Sequence, residues 1–453
     1  MTAWRVGAEH LVEITGLTHE GFGVGRVNDR VVFVPQAIPG DQVLLRLVHV
    51  KERLSYGDLL RVVEPSQDRR KPSCPHAELC GGCQLQHMEY GAQLSWKRQQ
   101  VVDALARLGK LSVEVLPTIG MQEPYHYRNK AQLPLGRQGG ELVMGFFQKG
   151  SHRIVDLSTC EIQHPLITTL ALAVKKAVQE LGIEPYDEQR HRGVLRHAVI
   201  RASFSKDALM LTLVTRTPEL PQQAELIARL SKEVPNLVSV AHNINPEVTN
   251  VILGKETRIV WGAEYLEDSI GHVSYAISPG SFFQVNPAQT RVLYDLVRQN
   301  LRLTGREMVL DLYCGAGTIG LYLAAQAGKI VGVETVEAAV QDARRNADLN
   351  GIANADFYLG RAEEVLPRLI KDYKKVDAAV VDPPRKGCDV AVLNALAEAD
   401  VPALVYVSCN PATLARDLSH LAGLGYGVGS VQPVDMFPWT SHVESVTMIS
   451  RVK

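Results

Sequence analysis

Cysteine, aromatic side chains, surplus charge and long apolar runs are all scarce in this chain, and each scarcity removes a class of protein. Seven cysteines in 453 residues, with no apolar leader ahead of them, do not make the dense paired framework of a small secreted domain, so disulfides are not expected. No apolar run approaches the roughly 20 residues that a membrane-spanning helix requires; the chain is expected to be soluble, cytoplasmic, monomeric and without a membrane partner. Lysine and arginine total 48 against 49 aspartates and glutamates. A balance so close to zero lacks the global basic excess that advertises nucleic-acid binding. No internal repeat or low-complexity tract is present. What the chain does have is length and apolar content, 453 residues at 46% hydrophobic, enough for more than one core.

The patterning changes along the chain. From Glu9 to about Val63, apolar and polar residues alternate between turn signals at Gly21-Phe22-Gly23, Asn28-Asp29 and Pro39-Gly40-Asp41, a rhythm that predicts a small β-barrel. A linker with Arg69-Arg70-Lys71-Pro72 leads into Cys74-x5-Cys80-x2-Cys83, and a fourth cysteine, Cys160, follows much later. With disulfides set aside, a Cys₄ metal site is the reading, and the spacing suits zinc and an iron–sulfur cluster alike. Residues 91–110 read as a helix with Leu94, Val101, Val102, Leu105 and Leu108 apolar. The middle of the chain mixes strands and helices, and the last third alternates them. The expected architecture is multidomain α/β: a barrel over 1–63, an α+β central domain over 64–270, and an open parallel-sheet domain over 271–453.

In that last third, strand-like runs end in residues suited to chemistry. Met308 to Tyr313 runs into Cys314-Gly315-Ala316-Gly317-Thr318-Ile319-Gly320, a glycine-rich turn opening a helix. Lys329 to Val333 ends in Glu334, about twenty residues on, where a carboxylate can take two ribose hydroxyls. Val376 to Val381 ends in Asp382-Pro383-Pro384, whose prolines hold the preceding residue extended and stop the ladder. Ala403 to Val407 ends in Ser408-Cys409-Asn410-Pro411, with Asn410 a good N-cap and Pro411 suited to the first helical position. Ligands bind at the carboxyl ends of strands in an open parallel sheet, so Gly315, Gly317, Glu334, Asp382 and Cys409 are expected on one edge. A cysteine in an apolar strand is ordinarily inert filling. Beside a helix N-terminus, the positive end of the dipole favours its thiolate, the nucleophilic form. Gly315-x-Gly317-x-x-Gly320 also fits a dinucleotide fingerprint, which keeps an NAD-dependent oxidoreductase as the alternative. Nothing in that reading needs Asp-Pro-Pro-Arg or a thiol at a later strand end, and S-adenosylmethionine is the favoured cofactor.

Asp311-Leu312-Tyr313-Cys314-Gly315, Asp382-Pro383-Pro384-Arg385-Lys386-Gly387, Ser408-Cys409-Asn410-Pro411, Phe437-Pro438-Trp439-Thr440-x-His442-Val443-Glu444 and Ser281-Phe282-Phe283-Gln284-Val285-Asn286 resemble, in order, the blocks of the S-adenosylmethionine-dependent RNA uracil-C5 methyltransferases. The N-terminal stretch resembles the TRAM domain, an OB-like RNA-binding barrel. The resemblance implies a Rossmann-like class I methyltransferase domain, with Cys409 as nucleophile and Glu444 as general base. It assigns cofactor contacts to Gln284, Tyr313, Glu334 and Asp382 beside the Gly315–Gly317 turn. It also implies a 4Fe–4S cluster on Cys74, Cys80, Cys83 and Cys160, the feature of the family's 23S ribosomal RNA branch. Cys314 and Cys388 are left to packing. In relatives the helix at about 91–110 packs on the catalytic domain rather than beside its sequence neighbours.

Two segments carry the expectation of RNA contact. Arg190, Arg192, Arg196, Arg201 and Lys206 lie in a stretch with no acid after Arg190, and Tyr125-His126-Tyr127-Arg128-Asn129-Lys130 mixes aromatics with cations, as base stacking and phosphate contact require. The expected partner is 23S ribosomal RNA presenting a single-stranded or flipped uracil.

Overall fold

Strict alternation along Glu9–Leu17, buried at every second residue up to Ile14, makes a strand with one wet face, and four more strands close it into a barrel in the order Glu9–Leu17, Gly23–Val27, Arg30–Val34, Leu54–Glu64, Gln42–Val50. Closure leaves no free edge. Asn28 and Asp29 both adopt positive φ, 47° and 65°, which is what a tight two-residue hairpin demands. Val12, Ile14, Val32, Val34, Val43, Leu45 and Leu47 fill the interior. The structure, a computed structural model, describes residues 4–452.

The central region is a mixed seven-stranded sheet in the order Glu256–Gly262, Leu237–Ile244, Leu209–Thr215, Leu195–Ala202, Lys130–Gln138, Glu141–Phe147, Ile154–Asp156. Helices Pro165–Glu180 and Gln223–Glu233 pack on it through Leu170, Val174, Leu226 and Leu230. Because Leu195–Ala202 is buried along its whole length, two of the arginines expected to meet RNA are inside. Arg196 donates to the carbonyls of Asn245, Glu247 and Thr249, and Arg201 to that of Ser281. Those two guanidiniums tie loops together and are not available to phosphate. Arg190 is exposed but pairs with Asp187; Arg192 and Lys206 are exposed.

The C-terminal sheet also has seven strands, in the order Ala355–Leu359, Lys329–Glu334, Met308–Leu312, Ala378–Val381, Ala403–Ser408, Glu444–Arg451, Tyr426–Val434. The first five run parallel, and Glu444–Arg451 joins antiparallel on Ala403–Ser408. Helix Tyr90–Ala104, continued by a π-helical turn over Leu105–Gly109, packs here. Val101 and Leu105 join Leu414, Ala415 and Leu418 of helix Pro411–Gly423 in one core. Its inner face differs from the one expected: Leu108 is 60% exposed, whereas Gln93 and Lys97 are fully buried. These polar side chains break the apolar stripe because each has a partner inside: Gln93 Nε2 donates to the Leu85 and Met88 carbonyls at 3.1 and 2.8 Å, and Lys97 pairs with Asp435.

Candidate active site

The glycine-rich turn follows Met308–Leu312, every residue of which is buried. Tyr313, Gly315 and Gly317 all have left-handed φ, 64°, 53° and 75°. At Gly317 a Cβ would lie 2.9 Å from the Phe357 ring, so glycine is required twice over there. At Gly315 a Cβ would meet nothing within 4 Å: that side of the turn is open. The Gly315 amide donates to Glu334 Oε2 at 3.1 Å, while Glu334 Oε1 accepts from the amides of Thr335 and Val336 at 2.7 and 2.9 Å and from Thr335 Oγ1 at 3.0 Å. The carboxylate is thus oriented by the backbone, and Oε2 retains accepting capacity. Asp311 accepts from the Gly320 amide at 2.8 Å, and burial pushes its carboxyl up to about 7. Its second oxygen has no protein partner. A preset acceptor beside an open glycine turn fits the ribose of an adenosyl cofactor.

The parallel ladder places Val381 beside both Leu312 and Tyr406, so Asp382 emerges on the same edge as Tyr313 and Glu334. Half-buried Asp382 is likewise raised to about 7 by burial. Tyr313 is half-buried with its hydroxyl 3.5 Å from Cys388 Sγ. Gln284 is half-buried beyond the strands, its carbonyl accepting from Asn129 Nδ2 at 3.0 Å.

Helix Pro411–Gly423 starts where expected: Asn410 Oδ1 accepts from the Ala412 amide at 3.0 Å, and its Nδ2 donates to the Arg385 carbonyl at 3.1 Å. The same side chain therefore caps the helix and ties the Asp-Pro-Pro-Arg loop to the Cys409 turn. The antiparallel ladder ends with Ser408 facing Ser445, and Cys409 and Glu444 follow directly at that end, near enough for the Glu444 charge to act on the thiol.

The electrostatics of this pair reverse one expectation. Burial, then the charges of Glu444 and Asp382, push the Cys409 thiol up to about 12, with Arg385 offsetting part of the rise. A helix terminus carries only about half a charge, and burial among acids acts in the opposite sense. Burial and the neighbouring Asp382 also hold the Glu444 carboxyl well above its ordinary range, and Arg385 again acts in the opposite sense. Arg385, which follows the paired prolines after Asp382, is the cation that favours the charged form of both groups.

Of the two tyrosines expected to stack on bases, Tyr127 is buried and Tyr125 is half-buried. Tyr125 stacks on Trp439 at 5.1 Å, and Tyr127 donates to the Pro438 carbonyl at 3.0 Å. A buried ion pair that the sequence did not announce joins Lys97 Nζ to Asp435 at 2.5 Å. Its only signal in the sequence is a lysine on the helix face that carries Val101.

Cys74, Cys80, Cys83 and Cys160 come together around one cavity of about 180 Å³, with Arg128 and Phe146 also in its wall. None forms a disulfide. Burial pushes Cys160 up to about 11, and burial together with Cys160, Cys80 and Cys74 pushes Cys83 up further. Four thiols gathered this way resist ionisation unless a cationic group sits among them. Among the described residues no group of three or more His, Cys, Asp or Glu side chains is disposed to hold a metal ion, so the metal site expected on these four cysteines is not shown. Cys314 and Cys388 are buried, as packing residues should be.

Comparison with known proteins gives the same outline. Residues 89–452 match the family model described as tRNA (Uracil-5-)-methyltransferase, and residues 3–60 match the TRAM domain. An uncharacterized RNA methyltransferase of Halalkalibacterium halodurans is 50% identical over 447 residues, covering 98% of both chains. Another, from Caldanaerobacter subterraneus subsp. tengcongensis, is 43% identical over 452 residues and covers 100% of both. Among solved structures, the Pyrococcus abyssi tRNA (uracil-54, C5)-methyltransferase in complex with S-adenosyl-L-homocysteine superposes with a TM-score of 0.79 at 30% identity, over 97% of this chain and 99% of its own. The chain belongs to the S-adenosylmethionine-dependent tRNA (uracil-5-)-methyltransferase family of RNA methyltransferases and carries an N-terminal TRAM domain.

Proposed function

We propose that this chain methylates C5 of a specific uracil in RNA through a covalent adduct on Cys409. The observation that supports the reading is the Ser408–Ser445 register, just beyond which the Glu444 charge acts on the Cys409 thiol, on the edge that also holds Glu334 and Asp382. S-adenosylmethionine, when bound, supplies an electrophilic methyl group. Glu334 takes the ribose hydroxyls, and Gln284, Tyr313, Asp382 and the Gly315–Gly317 turn complete the pocket. Cys409 Sγ adds to C6 of the uracil, and the C5=C6 electrons move toward the 4-carbonyl oxygen, so that C5 becomes nucleophilic enough to take the methyl. Glu444 then accepts the C5 proton. The C–H electrons restore C5=C6, the C6–S bond breaks, and its pair returns to Cys409. Both residues must be ionised in turn, and Arg385 supplies the positive charge that makes this possible.

For the RNA, the four cysteines support the 23S ribosomal reading, with Cys74, Cys80, Cys83 and Cys160 holding a 4Fe–4S cluster whose walls are already gathered around one cavity. Methyl transfer needs no electrons, so the cluster's role is structural. Transfer RNA stands as the second reading because of one finding. The Pyrococcus abyssi tRNA enzyme aligns over 97% of this chain, so it extends across the barrel, and the barrel does not separate the two substrate classes. Within this reading residues 1–63 form the RNA-binding barrel, 64–270 the cysteine-bearing central domain and 271–453 the catalytic domain.

Tritium release from C5-labelled uracil RNA in the presence of S-adenosylmethionine tests the reaction, and its absence refutes it. Mass mapping of 23S and transfer RNA from a deletion strain and its parent tests the substrate: a 5-methyluridine lost only from tRNA overturns the ribosomal reading. Anaerobically purified protein should contain iron and acid-labile sulfide, whereas stoichiometric zinc excludes the cluster.

A further inference from the structure

The hairpin that presents Glu444 is held by groups the proposed chemistry does not use. Val434 faces Glu444 across the ladder of Tyr426–Val434 and Glu444–Arg451, so residues 435–443 form the loop ahead of the carboxylate. At its start Asp435 accepts from Lys97 Nζ at 2.5 Å and from the Tyr90 hydroxyl at 2.8 Å, and Lys97 also donates to the Phe437 carbonyl at 3.0 Å. At its tip Trp439 is 1% exposed with φ at 66°, a left-handed conformation that a bulky residue keeps only when its surroundings over-determine it.

Those surroundings come from stretches far apart in sequence. The Trp439 carbonyl accepts from the amides of Gln84 and Leu85 at 3.0 and 2.9 Å, immediately after Cys83. Its indole N–H donates to the Pro124 carbonyl at 2.7 Å. The ring stacks on Tyr125 and leans against Tyr90 at 5.5 Å, and the Arg70 guanidinium lies 5.0 Å from its centroid. The adjacent Arg69 reaches into the barrel, donating to Asp41 at 2.7 Å and to the Gln36 carbonyl at 2.6 Å. Cys83 and Cys160 pack against the small cluster that Trp439 forms with Tyr127 and Ile162. Barrel linker, cysteine loop and helix Tyr90–Ala104 therefore meet on one side chain.

We propose that Trp439 is a positioning residue that makes the placement of Glu444 depend on the barrel linker and the cysteine loop, and so governs elimination rather than methyl transfer. The inference rests on the function proposed above. Elimination moves the C5 proton to the Glu444 carboxylate, turns the C–H pair into C5=C6, and releases Cys409 with the C6–S pair; it fails if the carboxylate is misplaced. Addition and methyl transfer rely instead on Cys409, Glu334, Asp382 and the glycine turn, which follow the ends of the parallel strands.

Trp439→Phe removes the indole hydrogen bond but keeps an aromatic ring, and Arg70→Gln removes the cation while leaving the backbone bonds. Both are assayed on RNA from the deletion strain with methyl-labelled S-adenosylmethionine. The expected result is first-turnover methyl incorporation and S-adenosylhomocysteine affinity within about twofold of wild type, with roughly tenfold slower turnover for Trp439→Phe and a labelled RNA–protein adduct on denaturing gels. Arg70→Gln should shift the same way by less. Unchanged turnover in both variants overturns the proposal, as does first-turnover incorporation falling in step with turnover without any adduct. A wild-type protein that neither methylates nor traps 5-fluorouracil RNA refutes the underlying function instead, and that failure is read without either variant.

Discussion

Glu334→Gln is the sharpest test of the cofactor pocket, because the native hydrogen bonds say what the substitution removes. Glu334 spends Oε1 on two backbone amides and a hydroxyl, and Oε2 accepts only the Gly315 amide at 3.1 Å. Glutamine has one accepting oxygen. If that oxygen stays on the Thr335 and Val336 amides, the new NH₂ faces the Gly315 N–H and the ribose hydroxyls, donor against donor. A hydrogen bond to a charged acceptor is worth about 1.5–3 kcal/mol. Losing one ribose bond of that kind should weaken cofactor binding by about ten- to a hundredfold. Titration calorimetry with S-adenosylhomocysteine reads this directly. A parallel melting curve checks that the turn, now missing the Gly315 bond, remains folded. A change in affinity below about twofold in a folded variant would refute the assignment. Tight NAD binding by the wild type, with no S-adenosylhomocysteine binding, would promote the dinucleotide reading.

Cys409→Ala should keep cofactor affinity yet abolish both methyl transfer and the covalent complex with 5-fluorouracil RNA; methylation at a comparable rate rules out the covalent route. Glu444→Gln cannot take up the C5 proton, so methylated adduct should accumulate and survive denaturing electrophoresis, whereas normal turnover without adduct sends the search for the base elsewhere. With the Cys409 thiol raised to about 12, the thiolate fraction grows with pH right through neutrality. Adduct formation with 5-fluorouracil RNA should therefore climb from pH 6 to pH 9 without levelling off, and a plateau below about pH 8 would put the thiol below its ordinary value of about 8.5 and refute the raised one. Lys97→Met leaves Asp435 charged and unpaired in the interior, which should cost about 3–5 kcal/mol in denaturant unfolding; a loss below about 1 kcal/mol would show that the pair is not buried in solution.

Much of the chemistry was legible because it is local. A glycine-rich turn, a strand ending in Glu334, paired prolines after Asp382 and an Asn-Pro cap after Cys409 are short-range devices, and period-two alternation marked the barrel from Glu9 onward. Their common edge followed from the rule that parallel strands present their carboxyl ends together. Three things were decided by tertiary structure alone. The cations Arg196 and Arg201 and the aromatic Tyr127 look like RNA contacts in sequence, but folding buries them and spends them on carbonyls. The state of Cys409 depends on burial and on Glu444 and Asp382, which arrive from other strands and act against the local helix dipole. The pairing of Lys97 with Asp435 spans 338 positions. Periodicity reports which face of an element is inside; it carries no record of what that face meets, so long-range polar partners became visible only once the chain had folded.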